Sequence, residues 1–311
     1  MIAIAYNELD YLHNLESHVE NSQRTKTIID KIQNYINPEK HQLFIAKNLE
    51  YSKEIMSIVK QVHDPTYLEF LTQKINNTKK LDFLDSDTYI TPKSLDVVLK
   101  NLELTFETVS WIVKNSSYGF AYIRPPGHHA ESNKAMGFCI INNAAVIAKY
   151  IQNYLNLKRI MIVDFDAHHG NGTQEIFYQD DSVLYFSTHA YPFYPFTGSQ
   201  SEKGAGKGLG FNYNFPVSIY ASDKDLIPIY QNEFTKIFDK FEPEFVIVSS
   251  GYDIHSHDPI TYMNCSIDGI TQIETIILQK TNHKNTLFLL EGGYNTNVLE
   301  EIATHDINRI K

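Results

Sequence analysis

Short apolar runs recur along the chain, and most of them end in polar residues. A run of four or five such residues is typical of a strand buried on both faces of a parallel sheet. The clearest run, IMIV at 160–163, leads directly into the polar segment DFDAHHGNG. Similar patterns predict strands at 2–6, 119–123, 160–163, 183–187, 245–249 and 286–290.

Segments with a helical apolar period separate these strands. Alternation of strand and helix predicts an α/β fold with a central parallel sheet flanked by helices on both faces. No segment has the composition of a linker, so we expect a single domain over residues 1–311. The segments 76–91 and 190–210 show neither the apolar run of a strand nor the apolar period of a helix, and they are predicted as loops. Helices are predicted at 22–36, 51–62, 65–75, 92–114, 173–178, 223–240 and 266–280.

Acidic and histidine side chains follow two of the predicted strands. Ligands bind at the carboxyl ends of strands in such sheets. Asp164, Asp166 and His168 alternate along the chain, so they leave on one face if the extended conformation continues. Together with Asp253 from another strand end, Asp166 and His168 offer the oxygen and nitrogen ligands that zinc prefers. The alternative is a polar strand end whose groups are satisfied by hydrogen bonds alone.

Two further strand ends carry groups suited to catalysis. His128 and His129 follow the stiff turn RPPG, and Tyr294 follows two glycines. Paired histidines near a metal can hold an attacking water and move protons, because imidazole titrates near neutral pH. Asp164 can fix the tautomer of one histidine, and Tyr294 can donate a hydrogen bond to a developing oxyanion. The residues therefore predict metal-assisted hydrolysis.

Charge and cysteine content narrow the classes of protein. The chain has 27 Lys and Arg against 37 Asp and Glu, a formal net charge of −10, which argues against a nucleic-acid binder and fits a cationic substrate. The two cysteines are too few for a disulfide framework. The N-terminus lacks the basic region of a signal peptide, and no apolar run is long enough to span a membrane. We expect a cytoplasmic protein without membrane contact.

Five longer motifs carry a resemblance to a known family. They are RPPGHHA (124–130), GFCIINN (137–143), DFDAHHGNGT (164–173), GYD (251–253) and EGGYN (291–295). The motifs and their order along the chain resemble those of the zinc-dependent histone deacetylase family. This family includes acetylpolyamine amidohydrolases and acetoin-utilisation proteins and has an arginase-like fold. The resemblance covers roughly residues 63–295. Asn171 stands where class II and bacterial members have asparagine, so the chain is similar to the class II-like bacterial enzymes.

The resemblance implies a role for each matching position. His129 matches the general base and His128 its partner, which Asp164 holds, and Tyr294 matches the tyrosine that polarises the amide carbonyl. The implied ligands of one catalytic Zn²⁺ are Asp166, His168 and Asp253, and those of a structural K⁺ are Asp164 and Ser187. The implied substrate-binding positions are Gly137, Phe138, Tyr194, Gly292, Gly293 and Asp87.

The implied activity is zinc-dependent hydrolysis of the acetyl-lysine amide of a protein. An acetylated polyamine is the alternative substrate, and a catalytically silent acyl-lysine binding module is the alternative class. Arginase-like hydrolysis with two metals would require more bridging carboxylates than the sequence offers. No feature of the sequence specifies an oligomer.

Overall fold

The computed structural model describes residues 1–309 and contains one large sheet. Eight strands form it in the order β2-β1-β5-β10-β9-β6-β7-β8, and all paired neighbours run parallel. These strands are β1 (Ile2–Asn7), β2 (His41–Ala46), β5 (Tyr118–Tyr122), β6 (Ile160–Asp164), β7 (Val183–Ala190), β8 (Asn212–Val217), β9 (Phe245–Ser250) and β10 (Thr286–Leu290). Two short strands, β3 (Asp82–Phe83) and β4 (Tyr89–Ile90), form a separate antiparallel pair.

The helices lie in chain order between and after these strands. A π-helical turn, Tyr230–Phe234, joins two of them just after Pro228, which cannot donate a backbone hydrogen bond and so disturbs the regular helix. The helices are α1 (Gln23–Ile32), α2 (Ile55–Val59), α3 (Pro65–Asn77), α4 (Ser94–Asn115), α5 (Asn143–Tyr154), α6 (Asn171–Phe177), α7 (Asp223–Ile229), α8 (Thr235–Phe241), α9 (Ile267–Lys280) and α10 (Thr296–Asn308).

Two hydrophobic cores cover the two faces of the sheet. Side chains alternate along each strand, so Met161 and Val163 of β6 enter one core while Ile160 and Ile162 enter the other. The first core is closed by α1 and α7–α10, and the second by α2–α6. Because both faces are covered, the central strands are mostly apolar, and Asp164, Ser249 and Ser250 lie at their carboxyl ends. The predicted fold class is confirmed.

Several element boundaries differ from the predictions. The predicted helix 22–36 is too long, since α1 ends at Ile32, and the predicted helix 51–62 contains only the five-residue α2. The predicted loop 76–91 contains β3 and β4. Four further elements were not predicted. Two are the edge strands β2 and β8, whose sequences mix polar and apolar residues, and two are the helices α5 and α10.

The single-domain prediction and the predicted absence of a membrane span concern the whole chain. A domain spanning residues 1–311 stays a prediction, and residues 310 and 311 lie outside the described residues. Among residues 1–309, each helix is too short or too polar to cross a membrane. The cytoplasmic location stays a prediction.

Candidate active site

Four adjacent central strands deliver the predicted site residues to one edge of the sheet. In the order β5, β10, β9 and β6, these strands lie side by side. Their carboxyl ends therefore meet although the strands are far apart in the sequence. The residues that follow them are His128 and His129 after β5, Tyr294 after β10, Asp253 after β9, and Asp166 and His168 after β6.

The three candidate metal ligands lie together and are buried. His168 Nδ1 is 2.9 Å from Asp253 Oδ2 and 3.1 Å from Asp166 Oδ1, and one ligand atom from each residue lies within 4.8 Å of the others. Their ion-pair partners among residues 1–309 are histidines, without a Lys or Arg. Two buried carboxylates this close require a compensating positive charge. The donor set of two oxygens and one nitrogen fits a zinc ion.

A glycine makes room for this pair of carboxylates. A Cβ atom on Gly292 would come 2.6 Å from Oδ2 of both Asp166 and Asp253, closer than carbon and oxygen can pack. The Gly292 N–H instead donates to Asp166 Oδ2 at 2.8 Å. Gly292 thus brings backbone against the candidate metal ligands, where any side chain would displace them.

His129 has a defined tautomer. Its Nδ1 lies 2.8 Å from Asn171 Oδ1, and the Asn171 amide nitrogen donates to Glu131 Oε1 at 2.7 Å, which sets the orientation of that amide. An amide oxygen can only accept, so Nδ1 of His129 carries the hydrogen. Nε2 of the neutral ring is then left as a proton acceptor.

His128 lies between two carboxylates. Its Nδ1 is 3.1 Å from Asp164 Oδ2, and its Nε2 is 3.8 Å from Asp166 Oδ2. Burial alone would lower the pKa of His128, but the charges of Asp166 and Asp164 outweigh burial and raise it to about 10. Asp164 Oδ2 also accepts a hydrogen bond from the Tyr185 hydroxyl at 2.9 Å, which fixes the orientation of this carboxylate.

A cavity of about 230 Å³ opens onto these groups. Two aromatic rings form much of its wall: Phe138 packs edge-on against Tyr294 at 5.8 Å between ring centroids, and Tyr194 packs edge-on against His129 at 5.3 Å. The lining residues are Asp87, Pro126, His128, His129, Gly137, Phe138, Asp166, His168, Tyr194, Ile260, Gly292 and Tyr294.

Four predicted site residues do not line this cavity: Asp164, Ser187, Asp253 and Gly293. Asp164 and Asp253 lie behind the lining and contact it through histidines. Ser187 is the register partner of Asp164 on β7, so the two residues proposed for potassium are neighbours, and the potassium itself stays a prediction. Gly293 lies under the tyrosine, with its carbonyl accepting Arg24 Nε at 2.7 Å.

Two supporting residues were missed by the sequence reasoning. The Arg24 guanidinium packs over the Tyr294 ring at 4.8 Å and also donates to the Glu291 carbonyl. The buried Glu291 side chain accepts the N–H groups of Gly127 and His128 at 2.7 and 3.2 Å. The residues in these contacts are separated by 163 to 269 positions in the sequence, so no local sequence pattern predicts them.

Comparison with known proteins gives the family. Residues 18–310 match the model of the histone deacetylase domain. A protein of Archaeoglobus fulgidus named "Probable deacetylase" is 32% identical over 99% of this chain and 88% of its own length. Histone deacetylase 10, chloroplastic, of Oryza sativa is 31% identical over 91% of this chain and 67% of its own length.

A solved structure agrees with these sequence matches. The crystal structure of the HDA15 HD domain superposes with a TM-score of 0.89 at 32% identity, covering 98% of this chain and 88% of the other. The fold and the buried Asp-His-Asp group thus define an arginase/deacetylase-like α/β protein. The chain belongs to the histone deacetylase family, and this membership supports a deacetylase activity.

Proposed function

We propose that the chain is a zinc-dependent amidohydrolase that removes the acetyl group from acetylated lysine side chains of proteins. The observation that carries the proposal is the convergence of a buried Asp-His-Asp group, two histidines and a tyrosine on one aromatic-walled cavity. Family membership supports deacetylation, and the site geometry supplies a role for each group.

Asp166, His168 and Asp253 are the proposed ligands of the metal. Bound there, zinc supplies a Lewis acid that polarises the amide carbonyl and makes water more acidic. The donor atoms come from two strand ends that are themselves anchored: the Ala167 N–H donates to Asp253 Oδ1 at 2.9 Å, and the His168 N–H donates to Asp166 Oδ1 at 2.9 Å. These bonds hold the ligand set in place before any ion binds.

His129 is the proposed general base. Because Asn171 holds the hydrogen on Nδ1, Nε2 can take a proton from the water that attacks the acetyl carbon. When the carbon–nitrogen bond breaks, that proton passes to the leaving amine, and the products are acetate and a free lysine. His128, paired with Asp164, lines the same cavity and can help to hold the attacking water.

Tyr294 is the proposed hydrogen-bond donor to the carbonyl oxygen. A phenol is protonated at neutral pH and can donate to an oxyanion. The backbone N–H of Tyr294 donates to Asp258 Oδ2 at 2.8 Å, and the Arg24 guanidinium packs against one face of the Tyr294 ring. The hydroxyl is thus presented to the cavity by a loop that is fixed from two sides.

The cavity suits the proposed acyl-lysine substrate. The aromatic rings of Phe138 and Tyr194 pack well against a methylene chain, and the cavity leads from the surface to the candidate metal ligands. Asp87 lies at this wall with its backbone N–H bonded to Asp85, and its carboxylate can accept a backbone N–H of the substrate.

The test is acetate release from an acetyl-lysine peptide by zinc-loaded protein, with N-acetylputrescine assayed in parallel. We expect turnover of the peptide, and a fall in kcat of about 10²- to 10³-fold in Tyr294→Phe, because the variant loses a donor to the oxyanion. Tyr154→Phe, an exposed tyrosine on α5, is the matched control. Wild-type kcat in Tyr294→Phe, or acetate from N-acetylputrescine alone, would contradict the proposal.

A further inference from the structure

Three aromatic rings lead from a candidate metal ligand to the open surface. Phe193 stacks on His168 with ring centroids 5.3 Å apart. Tyr262 packs edge-on against Phe193 at 6.3 Å, and Tyr220 follows at 6.1 Å from Tyr262. We call Phe193, Tyr262 and Tyr220 the aromatic row. It begins beside the cavity wall, since Phe193 directly precedes Tyr194 in the chain.

The outer two rings are exposed, and the backbone segments that carry them are tied together. Tyr262 and Tyr220 are 61% and 63% exposed. The side-chain amide of Asn264 donates to the carbonyls of both, at 3.1 and 3.4 Å, and so ties the two segments together. Next to Tyr262, the Thr261 hydroxyl donates to the Asp253 carbonyl, and Ile260 lines the cavity. These bonds connect the backbone that carries Tyr262 and Tyr220 to the segment that lines the cavity.

The segments that carry the row contain no lysine or arginine. The sequence has no Lys or Arg between Arg159 and Lys203, between Lys207 and Lys224, or between Lys240 and Lys280. Each of the three rings lies in one of these stretches, and the whole chain has a net charge of −10. The faces of aromatic rings attract cations, and the attraction increases where no basic side chain competes.

The spacing of the row matches an extended peptide. Side chains on one face of an extended chain repeat every two residues, roughly 7 Å apart. The ring spacings of 6.3 and 6.1 Å are close to this repeat. A peptide whose acetyl-lysine enters the cavity can therefore place neighbouring same-face side chains over Tyr262 and Tyr220.

We propose that the aromatic row binds a lysine or arginine side chain located near the acetyl-lysine in a protein substrate. This inference rests on the proposed function and narrows its substrate class to basic protein segments. The recognition comes from cation–π contact on an exposed surface outside the catalytic cavity. A polyamine, which has no side chains, lacks the two-residue repeat that the row matches.

The experiment compares two acetyl-lysine peptides that differ at one residue. One peptide carries arginine two positions from the acetyl-lysine, and the other carries citrulline, which has nearly the same shape without the charge. The ratio of kcat/KM for the two peptides is measured for zinc-loaded wild type and for the double variant Tyr262→Leu/Tyr220→Leu. Fluorescence anisotropy of the labelled peptides gives the ratio of Kd values independently of turnover.

We expect wild type to favour the arginine peptide by about fivefold in both ratios, and the double variant to bring both ratios close to one. Tyr154→Leu, which removes an exposed tyrosine on α5, should keep the wild-type ratios. Ratios of one in wild type, or ratios that the double variant leaves unchanged, would overturn this inference. If both peptides were still turned over, the proposed function would stand. Turnover of N-acetylputrescine without either peptide would overturn the proposed function itself, and this inference with it.

Discussion

His63 uses both of its ring nitrogens in the folded protein. Nδ1 lies 3.0 Å from the Glu131 carbonyl, and Nε2 accepts the Asn142 N–H at 2.9 Å. A carbonyl can only accept, so the ring is neutral with its hydrogen on Nδ1. Burial penalises the charged form of the ring and lowers the pKa of His63 to about 4.

This histidine makes stability depend on pH. Its pKa is lower in the folded chain than the ordinary value of about 6.5 in the unfolded chain. The unfolded state therefore binds the proton first as pH falls, and stability that is fully present above about pH 6.5 is lost towards pH 4. Between pH 7 and pH 5, His63 should account for a loss of about 2 kcal/mol in the free energy of unfolding.

Urea unfolding at pH 7 and pH 5 measures this contribution. We expect His63→Gln to be less stable than wild type at pH 7 but to lose about 2 kcal/mol less on going to pH 5. His305→Gln, at an exposed position on α10, should leave the pH dependence as it is in wild type. Equal pH dependence in wild type and His63→Gln would show that His63 is not held neutral.

At the scale of elements, the carboxyl end of β10 links three parts of the site. Glu291 Oε2 accepts the N–H groups of Gly127 and His128, and Oε1 accepts the Ser249 hydroxyl at 3.0 Å from β9. The side chain is fully buried. One carboxylate thus joins the turn that carries the two histidines to the ends of β9 and β10.

Removal of this carboxylate should destabilise the fold. Glu291→Ala leaves two buried N–H groups without an acceptor, and we expect a loss of about 3 kcal/mol in the free energy of unfolding. Glu291→Gln should lose much less, because its amide oxygen can accept the same N–H groups while its amide nitrogen donates to Ser249. Glu301→Ala on the exposed side of α10 is the control in urea unfolding. Similar stabilities of Glu291→Ala and Glu301→Ala would contradict this role.

The central strands of the sheet could be predicted from the sequence, and its two edge strands could not. The largely apolar runs at 160–163, 245–249 and 286–290 became β6, β9 and β10, since a strand buried on both faces has few polar positions. The edge strands β2 and β8 begin HQ and NYN, and such mixed sequences also fit loops. Asp166 and His168 could be predicted as site residues because they closely follow a buried strand. Gly137, Phe138, Tyr194 and Asp87 were instead implied by the family resemblance.

Contacts between distant segments were beyond the reach of local patterns. The stacking of Phe193 on His168 and the support of Tyr294 by Arg24 depend on how the loops fold over the sheet edge. The segment 190–210 was predicted as a loop, but its sequence does not say which of its aromatic rings faces the candidate metal ligands. The assigned catalytic and metal-binding roles stay predictions until they are tested by activity.

At the scale of the whole molecule, the strand order creates the site. The four strands that carry site residues are adjacent in the sheet although they span residues 118 to 290. Helices on both faces bury these strands, so the polar groups emerge together only at the carboxyl edge. The molecule thereby places two buried acids and a histidine where a divalent cation can balance their charge.

We propose that acetyl-lysine hydrolysis requires one zinc ion held by Asp166, His168 and Asp253. The most direct measurement adds zinc stepwise to chelator-treated protein and records bound zinc and acetate release from the peptide in the same samples. We predict that acetate release rises in proportion to bound zinc and levels off at one ion per chain, and that Asp253→Asn binds zinc much more weakly. Full activity without zinc, or activity that requires two ions per chain, would contradict a requirement for one zinc ion.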